Sequence, residues 1–313
     1  MPDLLVAIIL GVVEGVTEFL PISSTGHLVL CERWLGIDLE HDAFWKMFAV
    51  FIQIGAIASV VVYFRNRIVS LLRGRNAPQP TPLEASAMVR EAPTPPGGSS
   101  TSTASDGIQT AILERVAAVR ATPVVFRRNH ALWMIIVGSL PLAIAYFAHK
   151  WAERNLESTT VVALALLIGG VLMIAIEYLR PVPTTPSIEE MTWGQALGIG
   201  LAQILAALFP GTSRSAATIM GGELAGLSRA AAAEFSFFLA IPAMGAACAF
   251  SLLKHRAALD ARHWLLLVVG TLVAFLVAWL VIAAFMSFIR RHSFIPFAVY
   301  RIGLAIVVLL AFK

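Results

Sequence analysis

Glu14, Glu18, Ser23, Ser24, Thr25 and His27 fall within 14 consecutive positions, in the stretch VVEGVTEFLPISSTGHLVL at 12–30, and their neighbours are almost all apolar. Glu14 and Glu18 are four residues apart, so a helix places both carboxylates on one face. A charge at the centre of a bilayer costs about 2.5–3.5 kcal/mol on insertion scales. Two acids in one short apolar segment therefore need a cation, a wet cavity or a proton, unless the segment lies shallow and the acids face water. Hard oxygen ligands of this kind suit Mg²⁺ or Ca²⁺. His27 follows the break made by Pro21 and the small polar run. A lone membrane histidine more often serves helix packing, but beside two acids and three hydroxyls it can act as a nucleophile toward phosphorus or as a general acid/base. An activated Ser24 hydroxyl is the rival nucleophile.

A second stretch, LAQILAALFPGTSRSAAT at 201–218, looks like the partner of the first. Arg214 keeps its proton and offers a planar fork to phosphate oxygens. Backbone N–H groups at the start of the following helix favour an anion, and Ser213, Ser215 and Thr218 can add hydrogen bonds, as can Ser23 and Thr25 from the first stretch. The plainer reading of Arg214 is an interfacial arginine on lipid headgroups. Together, one stretch supplies acids and an imidazole and the other an anion cradle, a constellation suited to phosphoryl transfer, which depends on positioning and charge stabilisation. Gln53 and Gln203 are weaker candidates for lining the same cavity. Glu234, Tyr300 and Arg301, near span starts, read as interhelix glue, and Glu223 and Arg229 as residues at an aqueous edge of the second stretch. Trp45, Trp133, Trp151, Trp193 and Trp264 fit interfacial belts.

Elements that could hold these groups must be membrane helices. The 313 residues are 58% hydrophobic and 13% charged, about half the charged fraction of a soluble domain, with several apolar runs near the length of a span. The net charge of +4 fits basic cytoplasmic loops, and nucleic-acid binding is not expected. Cys31 and Cys248 make no disulfide framework and no metal spacing, and read as small apolar fillers. The N-terminus lacks the basic region of a signal peptide, and its apolar run is interrupted by Glu14 and Glu18.

The expected fold is an all-α integral membrane protein of two inverted-topology repeats, each a re-entrant helical hairpin plus three transmembrane helices. The first repeat, 1–179, has a hairpin at about 3–36 and spans at about 47–64, 131–148 and 159–179. A Pro/Ser/Thr/Gly-rich insertion at about 76–125 has the composition of a disordered loop. The second repeat, 180–313, has a hairpin at about 194–227 and spans at about 232–253, 264–288 and 294–312. Nine arginines against four acids in the 65–130 connection place it in the cytoplasm with 180–193 and 289–293, and both termini outside. Matching Glu14 to Gln203 is a shift of 189, which pairs Pro21 with Pro210, Ser23 with Thr212 and Ser24 with Ser213. An odd number of spans per repeat inverts the second copy, and paired broken segments point to a site where they meet. That architecture is also found in transporters, so a lipid-phosphate or anion flippase is the alternative function.

EGVTEFLPISSTGH and PGTSRSAAT closely resemble the two signature motifs of the bacterial undecaprenyl-pyrophosphate phosphatase family of the bacitracin-resistance type. The resemblance extends to FIQIGAI, EFSFFLAIP and SFIPFAVYR and departs at about 76–125. It implies hydrolysis of a polyprenyl pyrophosphate to the monophosphate, which recycles the lipid carrier of cell-wall synthesis. It also implies a divalent cation, Mg²⁺ or Ca²⁺, and a multi-pass protein of the bacterial inner membrane with its site toward the periplasm. Membrane lipids are the expected surroundings and a homodimer an allowed assembly. By match to the motifs, Glu14, Glu18, Ser24, Thr25, His27, Ser213 and Arg214 would be the functional set.

Overall fold

The computed structural model describes residues 2–37, 42–73, 130–143, 159–255 and 259–311. Among them the regular elements are helical, and β pairing is limited to an isolated bridge between Thr185 and Leu227. The first hairpin is α1 (Asp3–Thr17) and α2 (Ser24–Trp34), separated by the break at 18–23. A helix follows in two pieces, α3 (Ala43–Phe51) and α4 (Gln53–Tyr63), and then the short α5 (Arg65–Leu72). Next come α6 (His130–Ser139) and α7 (Thr159–Leu179). The second hairpin is α8 (Trp193–Leu208) and α9 (Arg214–Leu224). Three long helices close the chain: α10 (Arg229–His255), α11 (Ala261–Ile289) and α12 (Ile295–Ala311).

Among the described residues four helices are long and apolar enough to cross a membrane: Ala43–Tyr63, Thr159–Leu179, Arg229–Lys254 and Ala261–Ile289. α12 and α6 are apolar but shorter. The expected insertion at 76–125, the end of the span expected at 131–148, and Trp151 lie outside the described residues.

Sequence spacing explains how the first hairpin turns its acids inward. The buried face of α1 carries Val6, Ala7, Leu10, Gly11, Glu14, Gly15 and Thr17, so the stripe that buries Leu10 carries Glu14 in with it. Two glycines let that face sit directly on α11. A Cβ on Gly11 would lie 2.7 Å from the Gly270 carbonyl, and one on Gly15 would lie 2.8 Å from that of Ala274. Small residues that permit close backbone approach are how helices associate where lipid is the solvent. α8 meets α6 in the same manner through Gly200, whose Cβ would lie 2.4 Å from the Gly138 carbonyl.

Two expectations are corrected here. Trp45 is not interfacial: it is 8% exposed and packs edge-on against Phe48, ring centroids 5.0 Å apart, in a core with Val6, Leu10 and Leu28. α10 and α11 are the helices packed against α3, which carries it. Trp133, Trp193 and Trp264 are exposed, as belts require. Glu223 and Arg229 are not at a wet edge either. Both are buried in a network with Glu177 and Arg180: Arg180 donates to Glu223 at 2.8 Å, Arg229 to Glu177, and Arg229 Nε lies 3.4 Å from Glu223. This network sits at the end of α9 away from its tip, where α7, α9 and α10 converge. Beside it Arg67 bridges Glu189 and Glu234, each at 2.6 Å. Burial works against the Arg67 charge, but the hydrogen bond it donates to Glu189 and the charge of Glu234 outweigh it, and its pKa moves above the ordinary arginine value. Glu234 is thus the interhelix glue its position suggested.

Candidate active site

The two hairpin breaks meet. Each ends in a serine with positive φ, Ser23 at 75° and Ser213 at 72°. Non-glycine residues seldom adopt this region, at a cost of roughly 1–3 kcal/mol each. Both serines cap the helix that follows: Ser23 Oγ accepts from the Gly26 N–H and Ser213 Oγ from the Ala216 N–H, each at 3.2 Å. The backbone therefore pairs Ser23 with Ser213, a shift of 213 − 23 = 190, one residue away from the register that matches Glu14 with Gln203. At the second break Gly211 has φ 94°, and a Cβ there would lie 2.7 Å from the Val162 carbonyl. Glycine is required for both reasons.

Glu18 stands at the centre. Its Oε2 accepts a 2.5 Å hydrogen bond from Ser24 Oγ, and its Oε1 accepts from Arg214 Nη2 at 3.1 Å. Arg214 reaches across from the second break and uses its other arm on the Ser236 carbonyl of α10, at 2.9 Å. Three elements thus fix one guanidinium. Ser215 also crosses between the breaks, donating to the Leu20 carbonyl at 2.8 Å, and lies 3.0 Å from Ser213 Oγ. Thr218 is fully buried, bonded to the Arg214 carbonyl at 2.8 Å and to Ser236 Oγ at 2.6 Å. The hydroxyls of Ser215 and Thr218 are therefore committed to holding Arg214 and the two tips in place.

Glu14 is one turn before Glu18 and fully buried, and among the described residues neither of its carboxylate oxygens has a hydrogen-bond partner. Adjacent buried carboxylates cannot both stay charged unaided. Arg214 compensates Glu18, so Glu14 calls for a proton or a cation. Among the described residues no group of three His, Cys, Asp or Glu side chains is arranged to hold a metal. Two carboxylates plus substrate oxygens are nonetheless a usual way to hold Mg²⁺, and the donor set fits that pattern.

His27 lies on α2, half-buried, with Nδ1 2.7 Å from the Ser23 carbonyl and Nε2 2.7 Å from the Tyr300 hydroxyl. Thr25 is half-buried in the same turn. Gln53 opens α4, half-buried. Gln203 stands apart from the tips and ties α8 to α6 by donating to the Gly138 carbonyl at 2.8 Å.

Sequence reasoning passed over Ser236 and treated Tyr300 and Arg301 as glue. Arg301 is fully buried and spends all five N–H groups on carbonyls: Leu166 and Ala165 of α7, Pro21 of the first break, and Gly211 and Thr212 of the second. It is a tether for both tips. The signal was a charged residue in an apolar helix, next to a tyrosine, whose partners no spacing rule supplies.

The family description "Bacitracin resistance protein BacA" matches residues 7–307. The undecaprenyl-diphosphatase of Koribacter versatilis (strain Ellin345) is 42% identical over 319 residues, covering 97% of this chain and 96% of the relative. That of Sorangium cellulosum (strain So ce56) is 42% identical over 308 residues, covering 97% of this chain and 84% of the relative. That of Sphingopyxis alaskensis is 39% identical over 305 residues, covering 96% and 95%.

Proposed function

Because this chain belongs to the bacitracin resistance protein BacA family, we propose that it is a membrane phosphatase that hydrolyses undecaprenyl pyrophosphate to undecaprenyl phosphate and inorganic phosphate. This activity recycles the lipid carrier of cell-wall synthesis, and its abundance confers the bacitracin resistance for which the family is named. The observation that carries the reading is the Ser24–Glu18–Arg214 chain, which joins a hydroxyl, a base and an anion-binding fork from positions 190 residues apart.

Arg214, with Ser213 and the N–H groups that open α9, would bind the pyrophosphate. Ser24 would attack the terminal phosphorus while its proton passes to Glu18. The bridging P–O bond breaks and its electron pair leaves on undecaprenyl phosphate. Water activated by His27 would then cleave the Ser24 phosphoester, releasing inorganic phosphate and returning the proton. Ser24 is favoured over His27 as nucleophile because its hydroxyl already points at a carboxylate. Glu14 and Glu18 would hold the Mg²⁺ or Ca²⁺ ion, which when bound supplies charge neutralisation on the pyrophosphate.

The inverted repeat is supported by the matching eleven-residue helices α2 and α9, their positive-φ serine caps, and the crossed packing of α1 on α11 and α8 on α6. Arginines at 65, 67 and 73 and at 290 and 291 support a cytoplasmic side there and a site open to the periplasm of a bacterial inner membrane. An apolar recess of about 320 Å³ between α4 and α11, lined by Phe51, Gly55, Ala58, Leu272 and Phe275, is a seat for part of the isoprenoid tail.

Purified protein given undecaprenyl pyrophosphate labelled on the terminal phosphate, with Mg²⁺ or Ca²⁺, is expected to release the label. Under single turnover an acid-stable phosphopeptide should contain Ser24. An acid-labile one containing His27 would reverse the choice of nucleophile, and absence of phosphate release would end the phosphatase reading.

A further inference from the structure

His27 is held from both sides. A carbonyl oxygen only accepts, so the 2.7 Å contact from Nδ1 to the Ser23 carbonyl puts a proton on Nδ1. In the neutral ring Nε2 then carries the lone pair, and the phenol of Tyr300, 2.7 Å away, donates to it. The two rings are within 4° of parallel, with centroids 5.6 Å apart. Tyr300 is itself 47% exposed. Its neighbour Arg301 binds carbonyls of both hairpin breaks. The phenol is thus registered against the same two tips that build the site.

We infer that Tyr300 is a positioning residue that caps His27 Nε2 in the substrate-free chain and uncaps it when a phosphate oxygen takes over the phenol's hydrogen bond. The inference rests on the pyrophosphatase reading above. Nε2 cannot serve as base or nucleophile while its lone pair accepts the phenol proton. An anionic phosphate oxygen is a stronger acceptor than a neutral ring nitrogen, since charge-assisted hydrogen bonds are roughly twice as strong. Exchange of partners is therefore driven by the ligand's charge. It involves rotation of one O–H and no change in covalent bonding. The consequence is selective: an anionic oxygen at the tips releases the imidazole, and an uncharged apolar molecule there leaves it capped.

The test is chemical labelling of His27 in the full-length purified protein with diethyl pyrocarbonate, which attacks an unprotonated imidazole nitrogen, followed by mass spectrometry of the His27 peptide. Tyr300→Phe keeps the ring and removes only the hydroxyl. His27 should react about fivefold faster in the variant, the factor equivalent to a net hydrogen bond of about 1 kcal/mol. The other histidines should keep their wild-type rates. In the phosphate-release assay the variant should show a raised KM with a smaller change in kcat, because the phenol's contact to phosphate is gone. Tyr300→Leu, compatible with an exposed apolar helix face, replaces it if melting shows the phenylalanine protein poorly folded. Equal labelling rates overturn the cap. Faster labelling with an unchanged KM overturns the hand-over to phosphate. Labelling needs no substrate, so its outcome is separable from that of the phosphatase reading, which fails only if the wild-type protein releases no phosphate.

Discussion

Gly169→Ala tests whether Arg301 is what sets the two tips. α7 passes Arg301 at Gly169, where a Cβ would lie 2.1 Å from Nη2 and 2.9 Å from Cζ. Non-bonded atoms of this kind settle at about 3.5 Å, so the guanidinium must retreat by more than an ångström. The far end of an arginine can usually swing aside at little cost, but this one is fully buried with every N–H in use. The Nη2 bonds to Ala165 and Gly211, at 3.1 and 3.2 Å, have no such slack. Hydrogen bonds from a charged donor contribute about 1.5–3 kcal/mol each, so two lost bonds cost about 3–6 kcal/mol. Alanine returns about 1 kcal/mol of helix propensity. The native tip geometry should be disfavoured by about 2–5 kcal/mol. Because misplacement by an ångström can cost about 100-fold in rate, kcat/KM for phosphate release should fall by that order, with a lower melting temperature. Gly303→Ala is the control: nothing among the described residues lies within 4 Å of its Cβ position on the exposed side of α12, and it should leave both measurements unchanged. Wild-type kcat/KM in the Gly169→Ala protein would refute the tether.

Glu14→Gln preserves shape and removes the charge of the unpartnered carboxylate; the divalent-ion concentration for half-maximal activity should rise at least about tenfold, and an unchanged metal titration would remove Glu14 from the cation site. Arg214→Lys cannot serve Glu18 and the Ser236 carbonyl together; losing one charge-assisted bond of about 1.5–3 kcal/mol should lower kcat/KM about 10- to 100-fold, and parity with wild type in the phosphate assay would show that the fork is dispensable. Glu177→Gln breaks the buried network at the far end of α9; the expected cost is about 3–5 kcal/mol of stability, seen as a drop in melting temperature, while kcat per folded molecule stays near wild type. A selective fall in kcat instead would make that network part of the catalytic machinery.

The inward turn of Glu14 was legible in the sequence because it shares a helical stripe with Leu10 and two glycines, and local spacing fixes which face is buried. The two breaks were legible because proline followed by small polar residues cannot continue a helix. Ser24, Glu18 and Arg214 could be nominated from residue type alone, and the fold joins them. The exact pairing of the breaks was not readable: the serines at 23 and 213 share a backbone conformation that no composition rule encodes, and the two helices before them are matched one residue out of step with the two after. Trp45 and the Glu223–Arg229 pair misled for a common reason. Residue type near a span end suggests an interface, but burial there depends on which helices arrive from elsewhere, here α10 and α11 for the tryptophan and α7 for the ion pairs. Ser236 gave no signal because its carbonyl and hydroxyl gain their partners, Arg214 and Thr218, only when α9 packs against α10.

The arrangement also explains why a residue remote from the signature stretches holds the site together. Each tip caps its own helix through a serine, and that internal bond says nothing about where the other tip should be. The cross-links are of three kinds: Arg214 to Glu18, Ser215 to the Leu20 carbonyl, and Arg301 to Pro21 on one side and Gly211 and Thr212 on the other. The first must loosen if Arg214 is to turn toward a phosphate, and the second is a single neutral bond. Arg301 alone binds both breaks without being asked to touch substrate. Its carbonyl partners are neutral, and among the described residues it has no ion pair, so its full charge is directed at the region where the pyrophosphate charge would lie. In a low-dielectric interior such a charge acts over a longer range than it would in water. Arg301 can therefore favour anion entry while holding still, and Arg214 need only exchange its Glu18 contact for a phosphate oxygen.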